Sequence, residues 1–584
     1  MSSQLLDTAS THPFSFTGIA DRVWSGTLET AIRAGWGPAT WVARAAVLSV
    51  MKSIVVGKLT VRTDSRVYTF PDPEDRDQLE HESSGPEAEL RVVKDTFWIR
   101  LCLMGDLGFA EAYMYGEVQC DDLATLFRVF LANKERLSNL DSKLSYLFTL
   151  PQKLTSYRFL NTISNSRSNI SAHYDISNEM FAGFLSADMT YSCAIFDDLD
   201  GDLGRVSQRR RSEGDEMTSR SSPDAALPSG LKRLPRERDH LPPSPPLTEN
   251  SSSGSQSRAE LGAASASSSS DLLSLATSQL DFGYTEHSAQ ASVQGDSEGE
   301  RDELYLAQLR KLDHIIQRLR IPSHRPVRIL EIGSGWGSMA IRIAEKYPLA
   351  HIDTLTLSVQ QQTLARERIR KRGKEVEGRI DVHLMDYRAM PADWRGAFDR
   401  VVSVEMIEAV GYEFLERYWE VVDWALSERD AMGVVQVITL PEARLQRYLQ
   451  EIDFIRKWVF PGGFLPTLTL LLSTLQSGSK GKLVVDSVSN IGPHYARTLR
   501  EWHDRFIDRF EEVIKPALEN EYPTVMGAKC KDREKALEEV EVFKRKWIYY
   551  YRYCEVGFTT RTLGDHIITF AREGYEEFGC TVYE

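Results

Sequence analysis

"VRILEIGSGWGSMAIRIAEKY", residues 327–347, decides how the rest of the chain is read. An apolar run over 327–332 is followed by Gly333, Gly335 and Gly337, and then by apolar positions that recur at helical spacing. This predicts a strand, a tight turn and a helix. Glycines let the backbone turn without Cβ clashes and come close to a ligand. Glu331 stands at the end of the strand, two residues before the first glycine. Alone, such a turn is a weak signal, because unrelated nucleotide-binding folds share its logic.

The downstream sequence strengthens it. "AHIDTLTLS" (350–358), "DVHLMDYRAMP" (381–391) and "FDRVVSVEMIEAVG" (398–411) read as three further strands separated by helical segments. The last of them places Glu405 and Glu408 at its C-terminal edge, where ligands sit in open α/β sheets. The spacing E-x-G-x-G-x-G differs from G-x-G-x-x-G and is typical of methyltransferases that use S-adenosylmethionine (SAM). In that reading Glu331 and the turn amides hold the amino-acid end of SAM, and Asp386 accepts from the adenine amino group. The second strand lacks a terminal acid for the ribose hydroxyls. It offers Thr356 and Ser358 instead, with Asp353 inside the strand.

The chain around this core has 584 residues, enough for two or three domains, and is globular in composition: 42% hydrophobic, 10% aromatic and 26% charged. A formal net charge of −14 argues against a dedicated nucleic-acid binder. The six cysteines form no CxxC or paired spacing, which is the usage of a reducing compartment. No metal site is expected. No apolar run approaches the roughly 18 residues of a spanning helix, and the N-terminus lacks the pattern of a secretory signal. The expected location is cytoplasmic.

Four segments follow. Residues 1–62 are net basic, and 16–62 read as amphipathic helix with Trp24, Trp36 and Trp41. Such a helix lies in a membrane interface or docks on its own domain. Residues 63–198 form an N-terminal region with helical spacing, residues 199–302 a Ser-, Pro- and Gly-rich insertion expected to be disordered, and residues 303–584 the catalytic domain. The last block, from 491, is expected to be largely helical. The basic run 365–374 reads as an anionic-headgroup contact or a solvated helix face, and "KWVFPGGFLP" (457–466) as an acyl-facing loop or a turn between core segments.

Several stretches together resemble the cyclopropane-fatty-acyl-phospholipid synthases. They are "AHYDISNEMFAGFLSADMTYSCAIF" (172–196), "LEIGSGWGSMA" (330–340), "LTLSVQQQ" (355–362), "VVSVEMIEAVG" (401–411), "KWVFPGGFLPT" (457–467) and "FKRKWIYYYRYCEVGF" (543–558). "TLPEARLQRY" (439–448) is more similar to the eukaryotic branch. The resemblance covers about residues 90–198 and 303–575. It implies a Rossmann-like α/β fold, a mixed seven-stranded sheet with a smaller helical N-terminal domain. The implied activity is transfer of a methylene from SAM to a cis double bond of an unsaturated phospholipid, worked at a membrane surface by a peripherally associated protein. It leaves a homodimer open.

By matching positions, the resemblance implies that Tyr191, Ser192, Gly333, Gly335, Thr356, Gln361, Asp386 and Tyr387 contact SAM. It further implies that Cys193, Glu408, Gln436, Ile438 and Tyr550 form a small cage for bicarbonate, with Cys193 and Ile438 acting mainly through their backbones. Cys193 would then mark a corner of the cage and not a nucleophile. Two positions depart from the bacterial pattern, which has His where this chain has Gln436 and Ala409. Glutamine hydrogen-bonds an anion but carries no proton.

The implied chemistry suits these residues. Alkylating an alkene leaves a carbocation that water would trap, so the site must be dry, and a mild base must remove a proton from the added methyl. Aromatic faces such as Tyr174, Tyr191 and Phe196 suit the cation. The competing readings are a lipid C-methyltransferase that leaves a methyl branch, as on sphingoid bases, a small-molecule N-methyltransferase, and a silent scaffold. The set of Cys193, Glu408 and Tyr550 favours ring closure.

Overall fold

The computed structural model describes residues 37–72, 85–137, 177–203 and 302–576. The insertion expected to be disordered lies outside the described residues except at 199–203 and 302, as do residues 1–36 of the amphipathic segment and Tyr174. The chain on the two sides of the insertion forms one compact unit.

The N-terminal part contains helix α1 (Gly37–Met51) and a sheet that the sequence reading did not anticipate. Its strands are β1 (Lys58–Arg62), β2 (Val67–Phe70), β3 (Glu87–Val92) and β4 (Val118–Gln119), in the order β2-β1-β3-β4. The helical reading of 16–62 therefore fails at its end. "KLTVR" alternates, with Leu59 and Val61 inside and Arg62 outside, and five alternating residues are too few to outweigh the helical pattern before them. Helices α2 (Thr96–Met114) and α3 (Leu123–Ala132) close the module, α2 breaking at Gly105 with φ +55°. Between these elements Arg100 is buried with Glu111 at 3.2 Å and Glu117 at 3.0 Å. Lys457, from the 457–466 loop, reaches Glu111 at 2.7 Å.

The second part begins with α4 (Glu303–Arg318), capped by Asp302. Seven strands follow: β5 (Val327–Ile332), β6 (Ala350–Thr356), β7 (Ile380–Leu384), β8 (Arg400–Val404), β9 (Met432–Thr439), β10 (Leu483–Asn490) and β11 (Gly564–Arg572). Their order is β10-β11-β9-β8-β5-β6-β7. The five from β9 to β7 are parallel, while β11 runs antiparallel between β9 and β10. This is the mixed seven-stranded, Rossmann-like sheet expected. The central strands read as near-continuous apolar runs because both faces are covered: Ile329 packs into one core and Leu330 into the other. The last block is largely helical, as expected, with strand β11 as its exception.

Helices α5 (Ser338–Lys346), α6 (Val359–Lys371), α7 (Leu415–Ala425), α8 (Leu468–Gly478), α9 (Gly492–Asp508) and α10 (Arg533–Thr559) complete the unit. Helix α10 packs on α9 and also on α2 and α3, so it ties the two parts together. The chain leaves β5 for β6 on one side and returns to β8 on the other, which opens a crevice at the C-terminal ends of β5 and β8. Among the described residues no helix is long and apolar enough to cross a membrane.

Candidate active site

A cavity opens in that crevice. Tyr191, Ser192, Glu331, Gly333, Gly335, Thr356, Gln361, Asp386 and Tyr387 all line it, which brings together nine of the ten residues expected to contact SAM. Gly337, the tenth, stands behind the turn. With φ +87°, it is the cap of α5, and a Cβ there would meet Ala365 at 3.2 Å. Gly333 has φ +100°, and its Cβ would meet Met406 at 3.1 Å. The amides of Gly333 and Ser334 donate to the Leu355 carbonyl, so these two tie β5 to β6 instead of facing a ligand.

The polar pair after β6 is bonded to itself, Thr356 Oγ1 donating to Gln361 Oε1 at 2.8 Å. Asp353 is engaged inside the sheet by Arg328 and His383. Asp386 Oδ1 accepts from the Arg388 N–H and Nε, and Oδ2 accepts from its Nη2, so of the two oxygens only Oδ2 has room for an adenine amino group. The Tyr387 hydroxyl is buried and unpartnered. Glu331 accepts from Thr354 Oγ1 at 2.5 Å, and burial pushes its carboxyl up to about 8.

The residues expected to form the anion cage cluster just behind this cavity, without lining it. Glu405, which lines the cavity from the end of β8, is bonded to two of them, Cys193 and Gln436. It has φ +46°, a left-handed backbone at a non-glycine residue. Its Oε1 accepts from the Cys193 N–H and from Gln436 Nε2, each at 2.8 Å, and its Oε2 accepts from the Tyr495 hydroxyl at 2.6 Å. Gln436 Nε2 also donates to Asp565 Oδ2 at 2.8 Å, on β11. The Ile438 N–H donates to Glu408 Oε1 at 2.6 Å, while Glu408 Oε2 is enclosed without a partner. Tyr550 meets the Tyr191 hydroxyl at 3.2 Å.

Burial sets the electrostatics of this cluster. It raises Glu408 to about 8, with Glu405 adding to the effect, and it raises Asp565 well above the carboxylate range. Glu405 is raised by burial too, against the pull of its donors and of Lys311. The Cys193 thiol is pushed well up by burial and by Asp565, so it stays protonated and is no nucleophile. The cage residues do not fit bicarbonate as expected. The Cys193 and Ile438 amides and the Gln436 amide group, which would have held it, already donate to carboxylates of the chain.

Around the cluster stands an aromatic wall. Tyr191 lies 5.0 Å from Trp502 and 6.4 Å from Phe460 between ring centroids, and Phe460 lies 6.0 Å from Tyr550. Phe460 places the 457–466 loop directly over Tyr191 and Tyr550. The basic run on α6 is largely engaged: Arg366 donates to the Val382 carbonyl and Arg368 to the Trp336 carbonyl, and Arg372 pairs with Glu345.

Sequence reasoning missed Lys311, Asp565, Tyr495 and Arg388. A signal existed for the first. Gln308 and Lys311 interrupt the apolar stripe of α4, and both are fully buried: Lys311 Nζ donates to Ser192 Oγ at 2.6 Å and Gln308 Nε2 to the Ser192 carbonyl at 2.8 Å.

The family model described as "Mycolic acid cyclopropane synthetase" matches residues 162–213 and 297–527. The tuberculostearic acid methyltransferase UfaA1 of Mycobacterium tuberculosis is 29% identical over 470 residues, 80% of each chain. The cyclopropane-fatty-acyl-phospholipid synthase of Escherichia coli K12 is 24% identical over 488 residues, 83% of this chain and 88% of its own. Among solved structures, the cyclopropane synthase MmaA2 of M. tuberculosis aligns over 70% of this chain and 98% of its own, with 17% identity and a TM-score of 0.42.

Proposed function

Since the chain belongs to the cyclopropane synthase family of SAM-dependent lipid methyltransferases, we propose that it converts a cis double bond of an unsaturated phospholipid acyl chain into a cyclopropane ring at a membrane surface. SAM, when bound, supplies an electrophilic methyl group. Glu331 holds its ammonium end, the glycine turn lets it approach β5, and the pair Thr356–Gln361 and Asp386 bind ribose and adenine. Tyr191 lines the cavity, and Phe460, Trp502 and Tyr550 pack with it as an aromatic wall that excludes water and suits a cationic acyl chain.

The observation that carries this reading is the enclosed carboxylate cluster beside the cofactor cavity, under an aromatic wall. A cation must form and lose a proton without meeting water, and this arrangement supplies both conditions. Contact with a lipid surface is supported by α1, where Trp41 and Val42 are 65% and 58% exposed. Because β1 is a core strand, deleting residues 1–62 would unfold the module. Trp41→Ser is the sharper variant, with weakened liposome sedimentation expected.

One relative is named a tuberculostearic acid methyltransferase, which favours a methyl-branched product as the second reading. Mass spectrometry after incubation with SAM and mono-unsaturated phospholipid liposomes separates the two. Gain of one methylene with loss of the olefin supports the ring. An exomethylene or methyl-branched chain supports the second reading, and release of no lipid product sinks both.

A further inference from the structure

We propose that Glu405 is the base that removes the proton from the transferred methyl group, in the place where a bound bicarbonate was expected. The inference rests on the proposed alkene alkylation.

Glu405 is the only carboxylate that both lines the cavity and joins the cluster among the described residues named for either. The Cys193 amide and the Gln436 side chain, two corners of the expected cage, converge on its Oε1, and Tyr495 donates to its Oε2. These are the donors a small anion would need, and they hold a side chain of the chain itself. A carboxylate offers about four acceptor positions. Three are occupied here, so one remains for a substrate proton. A backbone forced to φ +46° at a glutamate is a strained state that persists only where its surroundings over-determine it. Here the strain turns the side chain into the cluster and seats its carboxylate at the cavity wall.

Gln436 fits the same scheme. It cannot titrate, and it donates from one nitrogen to both Glu405 and Asp565. It thus fixes the orientation of Glu405 without competing for its proton. Lys311, bonded to Ser192 at 2.6 Å, supplies the positive charge in this buried neighbourhood.

The alkene π pair forms the bond to the methyl carbon, and the carbon–sulfur pair stays on sulfur, giving S-adenosylhomocysteine. The neighbouring alkene carbon is left cationic. Glu405 takes one proton from the new methyl, and the freed C–H pair closes the ring onto the cationic carbon. The proton leaves Glu405 through the cavity when the products depart.

The test uses the full chain with S-adenosylhomocysteine and [13C]bicarbonate. Native protein should show no saturable line broadening of bicarbonate, whereas Glu405→Gly, with the carboxylate removed, should bind it. Saturable binding by native protein overturns the proposal. With liposomes, native turnover should be unchanged in bicarbonate-free buffer. Glu405→Gln should lose at least about 100-fold in turnover while its S-adenosylhomocysteine affinity, which also reports folding, stays within about threefold. Glu405→Gly should regain activity on added bicarbonate. Native turnover that collapses without bicarbonate, or Glu405→Gln turnover near the native rate, also overturns it. If native protein alkylates no lipid offered, the proposed function fails, and the bicarbonate titration still decides the role of Glu405.

Discussion

The glycine turn after β5 and the carboxylate cluster after β8 adjoin one cavity, yet they are built in opposite ways. The turn is a local backbone object: positive φ at Gly333, Gly335 and Gly337, all within five consecutive residues. The cluster is a tertiary object. Cys193 comes from the segment before the insertion, Glu405 and Glu408 from the end of β8, Gln436 and Ile438 from β9, Tyr495 from α9 and Asp565 from β11. Backbone sites tolerate little change at their own residues, while side-chain clusters distribute their tolerance over many. The two regions should therefore separate cleanly under mutation, binding failing in one and chemistry or stability in the other.

The largest effect is expected at the turn. Gly333→Val combines a φ of +100° with a Cβ 3.1 Å from Met406, and such strain costs about 1–3 kcal/mol before the lost approach to the ligand is counted. SAM affinity should fall by at least about 100-fold by equilibrium dialysis. Unchanged affinity would break the assignment of the turn.

Gln436→Leu tests the other side. The side chain is fully buried, and its replacement leaves Asp565 Oδ2 without its donor and Glu405 with one fewer. Urea unfolding should show a loss of about 2–3 kcal/mol, with SAM affinity within about threefold of native. A loss of SAM affinity instead would mean that cluster and turn are one site.

The pH dependence of SAM binding should belong to the turn alone. With its carboxyl raised to about 8, Glu331 is protonated in the empty site at neutral pH. A cationic ligand favours the carboxylate, so binding releases a proton, and affinity rises with pH until the carboxyl is ionised at about 8. Below that point the gain is at most about tenfold per pH unit. Calorimetry in buffers of different ionisation heat measures the released proton. Glu331→Gln should abolish the pH dependence and weaken binding by about tenfold.

The same contrast explains what was legible. The parallel core of the sheet, the cavity and the residues beside it follow from short patterns, because strand, turn and helix announce themselves within about 20 residues. The motif matches also found Cys193, Gln436 and Ile438. What they missed is that Cys193 and Gln436 hold Glu405, while Ile438 holds Glu408. That requires the left-handed φ at the end of β8 and the register that sets Asp565 opposite Ile438, and neither exists until the sheet forms. Strands β1 and β11 were missed for a related reason. "KLTVR" follows a helix, and "GDHIITFAR" follows the 27-residue α10, so each is a short pattern next to a strong one.

The smallest expected effect comes from the loop that bridges the two parts of the chain. Lys457 reaches Glu111, which keeps Arg100 as a partner when the lysine is removed. Lys457→Met should therefore cost no more than about 1 kcal/mol in stability. Its consequence is positional: Phe460, three residues on, packs between Tyr191 and Tyr550 over the cluster. A loosened loop should raise KM for the lipid about twofold to fivefold while SAM affinity stays native, since the glycine turn does not touch it. A fall in SAM affinity with an unchanged KM would place the loop on the cofactor side and erase the division between the two regions.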